Sequence, residues 1–196
     1  MEIWIGYLSV LIAVISYSFY FRNMFGGLTK PHGVSWLIWA FLNCFIFIQQ
    51  FLHGGGPGAW VTGVAALASV GIFILSFRYG ERHIHILDWL CLAIVIVIIF
   101  LWVQGGNDIS TVILACTVFV IGFIPTFRKS YTKPHQETVL TFGLNSAKFF
   151  IALFALQSFS LLTALYPLTL GIVNGCFVVY LLYRRSIMYT HKKRRL

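Results

Sequence analysis

Thr29-Lys30-Pro31-His32 recurs as Thr132-Lys133-Pro134-His135, and each copy precedes a long apolar stretch containing Leu-Asn, at Leu42-Asn43 and Leu144-Asn145. A four-residue match beside a second match at nearly constant spacing points to two copies of one unit. Working outward from the pair, seven apolar stretches can be cut from the chain, at 3–21, 34–52, 60–77, 85–103, 109–127, 138–156 and 161–183. Each holds about 18 to 23 residues, enough for a helix rising 1.5 Å per residue to cross a hydrocarbon layer of roughly 30 Å. Aligning the two copies superposes stretches one to three on five to seven and leaves the fourth unpaired. An odd number of helices per unit needs one connecting helix if both units are to keep the same orientation. The expected fold is therefore an all-α, polytopic membrane protein with seven transmembrane helices, built as two parallel three-helix repeats joined by a linker helix (3+1+3). The repeats cover 1–83 and 109–185, the linker 84–108, and a basic tail 186–196.

Composition agrees with that placement. Of the 196 residues 59% are hydrophobic and only 10% charged, and the mean hydropathy is +0.87, outside the range of soluble globular domains. The first stretch begins at Ile3 with no basic residue before it and no small-residue cleavage pattern after it, so it is expected to stay as the first helix. Arg22 and Lys30, Arg78 and Arg82, and Arg128, Lys129 and Lys133 fall in alternate loops, and six more basic residues follow the last stretch. The intervening loops carry no Lys or Arg. The positive-inside rule then predicts an N-terminus outside and a C-terminus in the cytoplasm, in a plasma or bacterial inner membrane. The net charge of +9 needs no nucleic acid to explain it, since orientation and a tail against anionic lipid headgroups account for it. Cys44, Cys91, Cys116 and Cys176 lie inside the stretches without ligand-like spacing and read as packing residues, so neither a disulfide framework nor a metal site is expected.

Lys148 is the sharpest single residue. It lies about ten residues into the sixth stretch, near 15 Å depth and hence the bilayer centre, where an ionised side chain costs several kcal/mol unless a wet cavity or a partner receives it. The five acids, Glu2, Glu81, Asp88, Asp108 and Glu137, all belong near a membrane surface, which leaves no buried carboxylate as counter-ion. Lys148 therefore pairs with an anionic group of a ligand, titrates in a proton-coupled cycle, or serves structurally by bonding backbone carbonyls. Thr141, Asn145 and Lys148 share one helix face at spacing i, i+4, i+7, and correspond in the first unit to Trp39, Asn43 and Ile46. That face of the second stretch also carries Trp36 and Gln50. Two such faces converging across the unit interface would make a polar pocket with aromatic walls; the alternative is that the asparagines only bond helix to helix. Thr62, Ser69 and Ser76 recur every seven residues as a small-residue packing stripe. Pro31 and Pro134 read as helix starts. His32 and His135, at the same boundary, read as capping or headgroup residues.

The chain resembles the SWEET and PQ-loop superfamily of small-solute transporters, whose fold the KDEL receptors share. That superfamily is marked by a Pro-Gln pair at the cytoplasmic end of the first helix of each unit, followed by basic residues. Here the second unit reads Ile124-Pro125-Thr126-Phe127-Arg128-Lys129, with Thr in place of Gln, and the first reads Phe19-Tyr20-Phe21-Arg22 without the proline. Sugar specificity is accordingly not carried over. What the resemblance implies is alternating access at the interface of the units, with a central polar residue of the seventh helix, Asn174, touching the substrate; its counterpart in the third is Ser69. Pro125 removes a helix hydrogen bond, and so either makes a hinge that such a motion uses or only bends its helix to fit the bundle.

The function expected is a transporter or facilitator of a small polar solute, with preference for one carrying a negative charge. The alternative is a receptor or assembly partner of the same fold that binds without moving its ligand. The substrate-binding residues would be Lys148, Asn145, Asn43, Asn174, Trp39 and Thr141, with Pro125 as hinge and no cofactor. The partners are the solute and the anionic bilayer surface, with a homo-oligomer left open. No enzyme is expected: paired mid-membrane aspartates, a Ser-His pair at depth, His-Glu-x-x-His, a phosphate loop and a dinucleotide fingerprint are all missing, as are the seventh-helix lysine and third-helix acid of a retinal protein.

Overall fold

A computed structural model of the chain describes residues 2–52, 56–104, 108–154 and 161–193. Among these there is no strand. Seven α-helices follow one another: α1 (Glu2–Phe25), α2 (Gly33–Leu52), α3 (Gly56–Tyr79), α4 (Ile86–Val103), α5 (Asp108–Thr132), α6 (Val139–Leu153) and α7 (Leu161–Lys193), with one 3-10 turn at Pro134–Gln136. Five of them, α1, α3, α4, α5 and α7, are long and apolar enough to cross a membrane, as befits an integral membrane protein. The other two are shorter as apolar helices, at Gly33–Ile48 and Val139–Leu153. Gln50, singled out in the sequence as a face residue, lies outside the residues whose side chains are described.

Helix ends follow local chemistry. α1 stops where Gly27 takes φ +72°, a conformation that costs glycine nothing and lets Leu28 and Thr29 return their N–H groups to the Asn23 carbonyl. α4 starts on a capping box, His85 Nδ1 accepting from the Leu87 N–H while Asp88 accepts from the His85 N–H at 2.7 Å. Neither Thr-Lys-Pro-His copy opens its α-helix at the proline. α2 begins two residues after Pro31, and Pro134 begins the 3-10 turn, with α6 following at Val139.

The helices close into a ring. α3 packs against both α1 and α2, α7 packs against both α5 and α6, and the two trios meet along α1–α6 and α2–α5. Going round, the order is α1, α3, α2, α5, α7, α6, with α4 outside the ring against α5 and α2. Position in the ring explains α4's surface: only Asp88, Cys91, Val95 and Trp102 are buried, and Leu90, Ile94, Val97 and Leu101 point outward as a lipid-facing stripe would. The inward face of α1 reads Ala13, Ser16, Tyr17, Tyr20, Met24, an i, i+3, i+4 pattern of buried residues.

Both seams between the trios are held by side-chain hydrogen bonds at matching places. Thr141 Oγ1 donates to the Ser16 carbonyl at 3.1 Å on α1–α6, and Trp39 Nε1 donates to the Phe119 carbonyl at 3.3 Å on α2–α5. One turn or two further on, Asn23 Nδ2 donates to Thr138 Oγ1 and Thr126 Oγ1 to Ser35 Oγ. Each member of the first seam has its counterpart about 103 residues away in the second.

Close approach at the α2–α5 seam depends on Gly122, where an added Cβ would stand 2.6 Å from Trp39 Nε1 and 3.1 Å from Ile38 Cγ2. Gly143, with nothing nearer than Val178 at 4.0 Å, has room. Gly122→Ala is expected to destabilise the purified protein by about 1–3 kcal/mol through overpacking. Gly143→Ala should be neutral or stabilising by up to about 1 kcal/mol from helix propensity. Equal thermal unfolding midpoints for the two variants would show that the seam is not tightly packed.

Candidate functional site

The ring holds a cavity to which all six helices contribute: Tyr17 from α1, Trp36, Trp39 and Asn43 from α2, Ser69 from α3, Phe119 and Phe123 from α5, Asn145 and Phe149 from α6, and Asn174 from α7. About 30 Å³ of it is open to the centre of a water-sized sphere, room for a water or two and no more. The cavity wall is not purely apolar. Three amide side chains, a serine and a tyrosine reach it from five different helices. Asn43 Nδ2 donates to Ser69 Oγ at 3.2 Å, and Tyr17 lines the same wall. Asn174 Nδ2 donates back to the Leu170 carbonyl one turn earlier at 2.8 Å. Ser16 Oγ lies 3.0 Å from the Thr141 carbonyl and 3.2 Å from Asn145 Oδ1, so its one proton serves both.

Of the six residues singled out in the sequence as substrate-binding, Asn43, Asn145, Asn174 and Trp39 line this cavity. Thr141 and Lys148 are buried on the same face of α6 but stand apart from its wall. Thr141 is occupied by the α1–α6 seam. Lys148, 1% exposed, places Nζ 4.9 Å from the ring centroids of both Tyr17 and Phe149 and has no hydrogen-bond partner among the described residues. Cation–π contacts of about 0.5–2 kcal/mol each offset part of the burial of an ammonium. They supply no acceptor, and each unmade buried hydrogen bond costs about 1–3 kcal/mol. The backbone-carbonyl role for this lysine is therefore not realised here.

Pro125 lies inside α5, between the cavity residue Phe123 and the charged pair Arg128 and Lys129. It removes one helix hydrogen bond at that point.

Toward the end of the ring that carries Lys30, Arg82, Lys133 and Arg185, the cavity is shut by aromatic rings and then by ions. Trp36 Nε1 donates to Tyr20 OH at 3.0 Å, Tyr20 OH to Glu137 Oε2 at 3.4 Å, and the other oxygen of Glu137 pairs with Lys129. Lys129 Nζ also donates to the Lys30 carbonyl at 2.6 Å and the Gln136 carbonyl at 3.4 Å. Asp88 takes Arg128 through both Nε and Nη2, at 2.9 and 2.5 Å, and lies 3.3 Å from His32 Nε2. Glu81 takes Lys133 at 2.8 Å.

These pairs correct the reading that leaves no carboxylate buried. Asp88 is 0% and Glu137 2% exposed. Both sit near helix ends, as their sequence positions require, yet the loops fold inward over the ring and bury them against cations from α5. The paired histidines also part company: His135 is exposed, while His32 is fully buried in the Asp88 cluster and touches no headgroup. Sequence reasoning passed over Ser16, Tyr17 and Tyr20. Their i, i+4 spacing as polar residues on an otherwise apolar α1 was the available signal.

Burial pulls the His32 imidazole down to about 4, helped by Arg128 and Lys129 and opposed by Asp88. At Glu81 burial works against ionisation, but Lys133 and the His83 N–H outweigh it and hold the carboxyl below its ordinary range. At Glu137 burial prevails over Lys129 and Tyr20 and raises the carboxyl.

No protein-family model, curated protein or solved structure matches the chain.

Two outcomes test the ionic end. A histidine whose folded value lies below its unfolded one contributes stability that is complete above about pH 6.5 and is lost as pH falls through about 4. His32→Gln should flatten the acid limb of a thermal-stability profile over that window, by about 3 kcal/mol at its lower end; an unchanged profile would remove His32 from the account. Separately, Lys129→Met strands a buried carboxylate and is expected to destabilise by about 3–5 kcal/mol, much of it restored in the Lys129→Met, Glu137→Gln double variant.

Proposed function

We propose that this protein moves a small polar solute across a membrane by alternating access at the interface of two three-helix units, α1–α3 and α5–α7, with α4 as linker. The observation that carries the reading is the central cavity. A site drawing one amide each from α2, α6 and α7 lies where the two trios meet, so rocking one trio against the other opens it to one side or the other without dismantling either. The matched seam bonds support the parallel repeat, since Ser16 with Thr141 and Phe119 with Trp39 occupy equivalent positions in the two units. Closure of the ring by Glu137–Lys129 and Asp88–Arg128 corresponds to a state shut at the basic end. Pro125, between that lock and the cavity wall, is the hinge. The orientation proposed places the basic end in the cytoplasm of a plasma or bacterial inner membrane, against anionic headgroups. Nothing in the cavity motivates catalysis.

The test is exchange of radiolabelled small polar solutes into proteoliposomes of the purified full chain. Asn43→Ala, Asn145→Ala and Asn174→Ala should each reduce flux more than tenfold, corresponding to at least about 1.4 kcal/mol of lost solute binding, with unfolding midpoints near that of the parent. A ligand that binds the detergent-solubilised protein while no solute crosses the bilayer in either direction would favour the receptor reading instead.

A further inference from the structure

We infer that the solute carries a single carboxylate, that Lys148 is its counter-ion, and that the Tyr17 ring is a latch standing between the two. The setting rests on the transport reading above; the observations are different ones. Lys148 Nζ is buried without a hydrogen-bond acceptor, and the two rings it faces, Tyr17 and Phe149, are both part of the cavity wall while Lys148 is not. The ammonium therefore stands one ring's thickness behind the site. Every carboxylate whose side chain is described is already tied to another cation at the basic end, Glu81 to Lys133, Asp88 to Arg128 and Glu137 to Lys129. No carboxylate among the described side chains is left to answer Lys148.

What surrounds the ring is polar. Asn43 donates to Ser69, and the Tyr17 phenol lies in the same cavity wall, so α2, α3 and α1 meet at one polar cluster. A carboxylate entering among these groups competes for the same donors. Once the Tyr17 hydroxyl turns to the ligand, the ring leaves the face of Lys148, and the ammonium reaches one carboxylate oxygen. Asn145, on the same face of α6 three residues earlier, is placed to donate to the other. The charge count sets the class. One lysine, no arginine in the cavity wall and no helix N-terminus facing it suit a monoanion better than a phosphate, which calls for bidentate or multiple cationic partners.

The experiment measures thermal unfolding of the purified full chain in detergent with sodium formate, acetate, lactate or benzoate. Lactamide serves as the uncharged counterpart of lactate and sodium chloride holds ionic strength constant. At least one carboxylate is expected to raise the midpoint in a saturable way, with lactate binding at least about tenfold more tightly than lactamide, a difference of about 1.4 kcal/mol. Lys148→Met, and Lys148→Gln should the first fail to fold, are expected to erase that discrimination and leave lactamide binding as it was. Tyr17→Phe, which keeps the ring and removes the latch, is expected to tighten carboxylate binding severalfold. No stabilisation of the parent by any carboxylate, parity of lactate and lactamide, or a preference that survives Lys148→Met would each overturn the carboxylate assignment. Unchanged carboxylate affinity in Tyr17→Phe would overturn the latch. A carboxylate that binds with this pattern yet does not cross proteoliposomes would sink the transport reading and leave the ligand class standing.

Discussion

Two hydrogen-bonded seams, α1 against α6 and α2 against α5, turn two open helix trios into a closed ring, and the interior chemistry depends on that closure. Inside a bilayer the driving force for bringing helices together is packing and polar satisfaction rather than exclusion of water. The seams supply both. Thr141 and Trp39 satisfy backbone carbonyls across them, and Gly122 lets the indole of Trp39 lie against α5. Were the seams apart, Asn43, Asn145 and Asn174 would face lipid, where an unsatisfied amide costs several kcal/mol.

Closure also sorts the charges by depth. At the basic end, cations and carboxylates from different elements neutralise one another, and the third loop, the start of α4 and the end of α5 are bound together by ions whose chain positions are far apart. Toward the middle only one ionisable group capable of positive charge is found among the described residues, Lys148, and its neighbours are rings and amides. The ions of the basic end answer one another, whereas toward the middle Lys148 has no hydrogen-bond partner among the described residues.

The two trios that make up the ring, α1–α3 and α5–α7, pack alike and differ in chemistry. Seam bonds recur at equivalent places, whereas His32 is buried and His135 exposed, Lys148 stands where the first unit has Ile46, and Asn174 stands where it has Ser69. A symmetric pocket would have to present the same group to both ends of a ligand. This one draws two amides, Asn145 and Asn174, from α5–α7, and an amide, a serine, a phenol and two indoles from α1–α3.

Hydropathy determined by itself that the chain is helical and where nearly all of the seven α-helices among the described residues begin, because a 30 Å apolar layer leaves little choice of element, while the doubled Thr-Lys-Pro-His offered a register between its halves. The same register set Asn43 over Asn145 and picked out Lys148, and helical periodicity put Thr141 on its face. Only the tertiary structure decided what those residues touch. Linear distance from a helix end measures depth along one axis and says nothing about the loops that fold across it, so Asp88, Glu137 and His32 were legible as boundary residues and not as buried ones. Nor does periodicity within one helix reveal what another helix brings to it. That Tyr17 stands between Lys148 and the cavity, and that Ser16 shares its proton with α6, follows from how α1 lies against α6 in the closed ring.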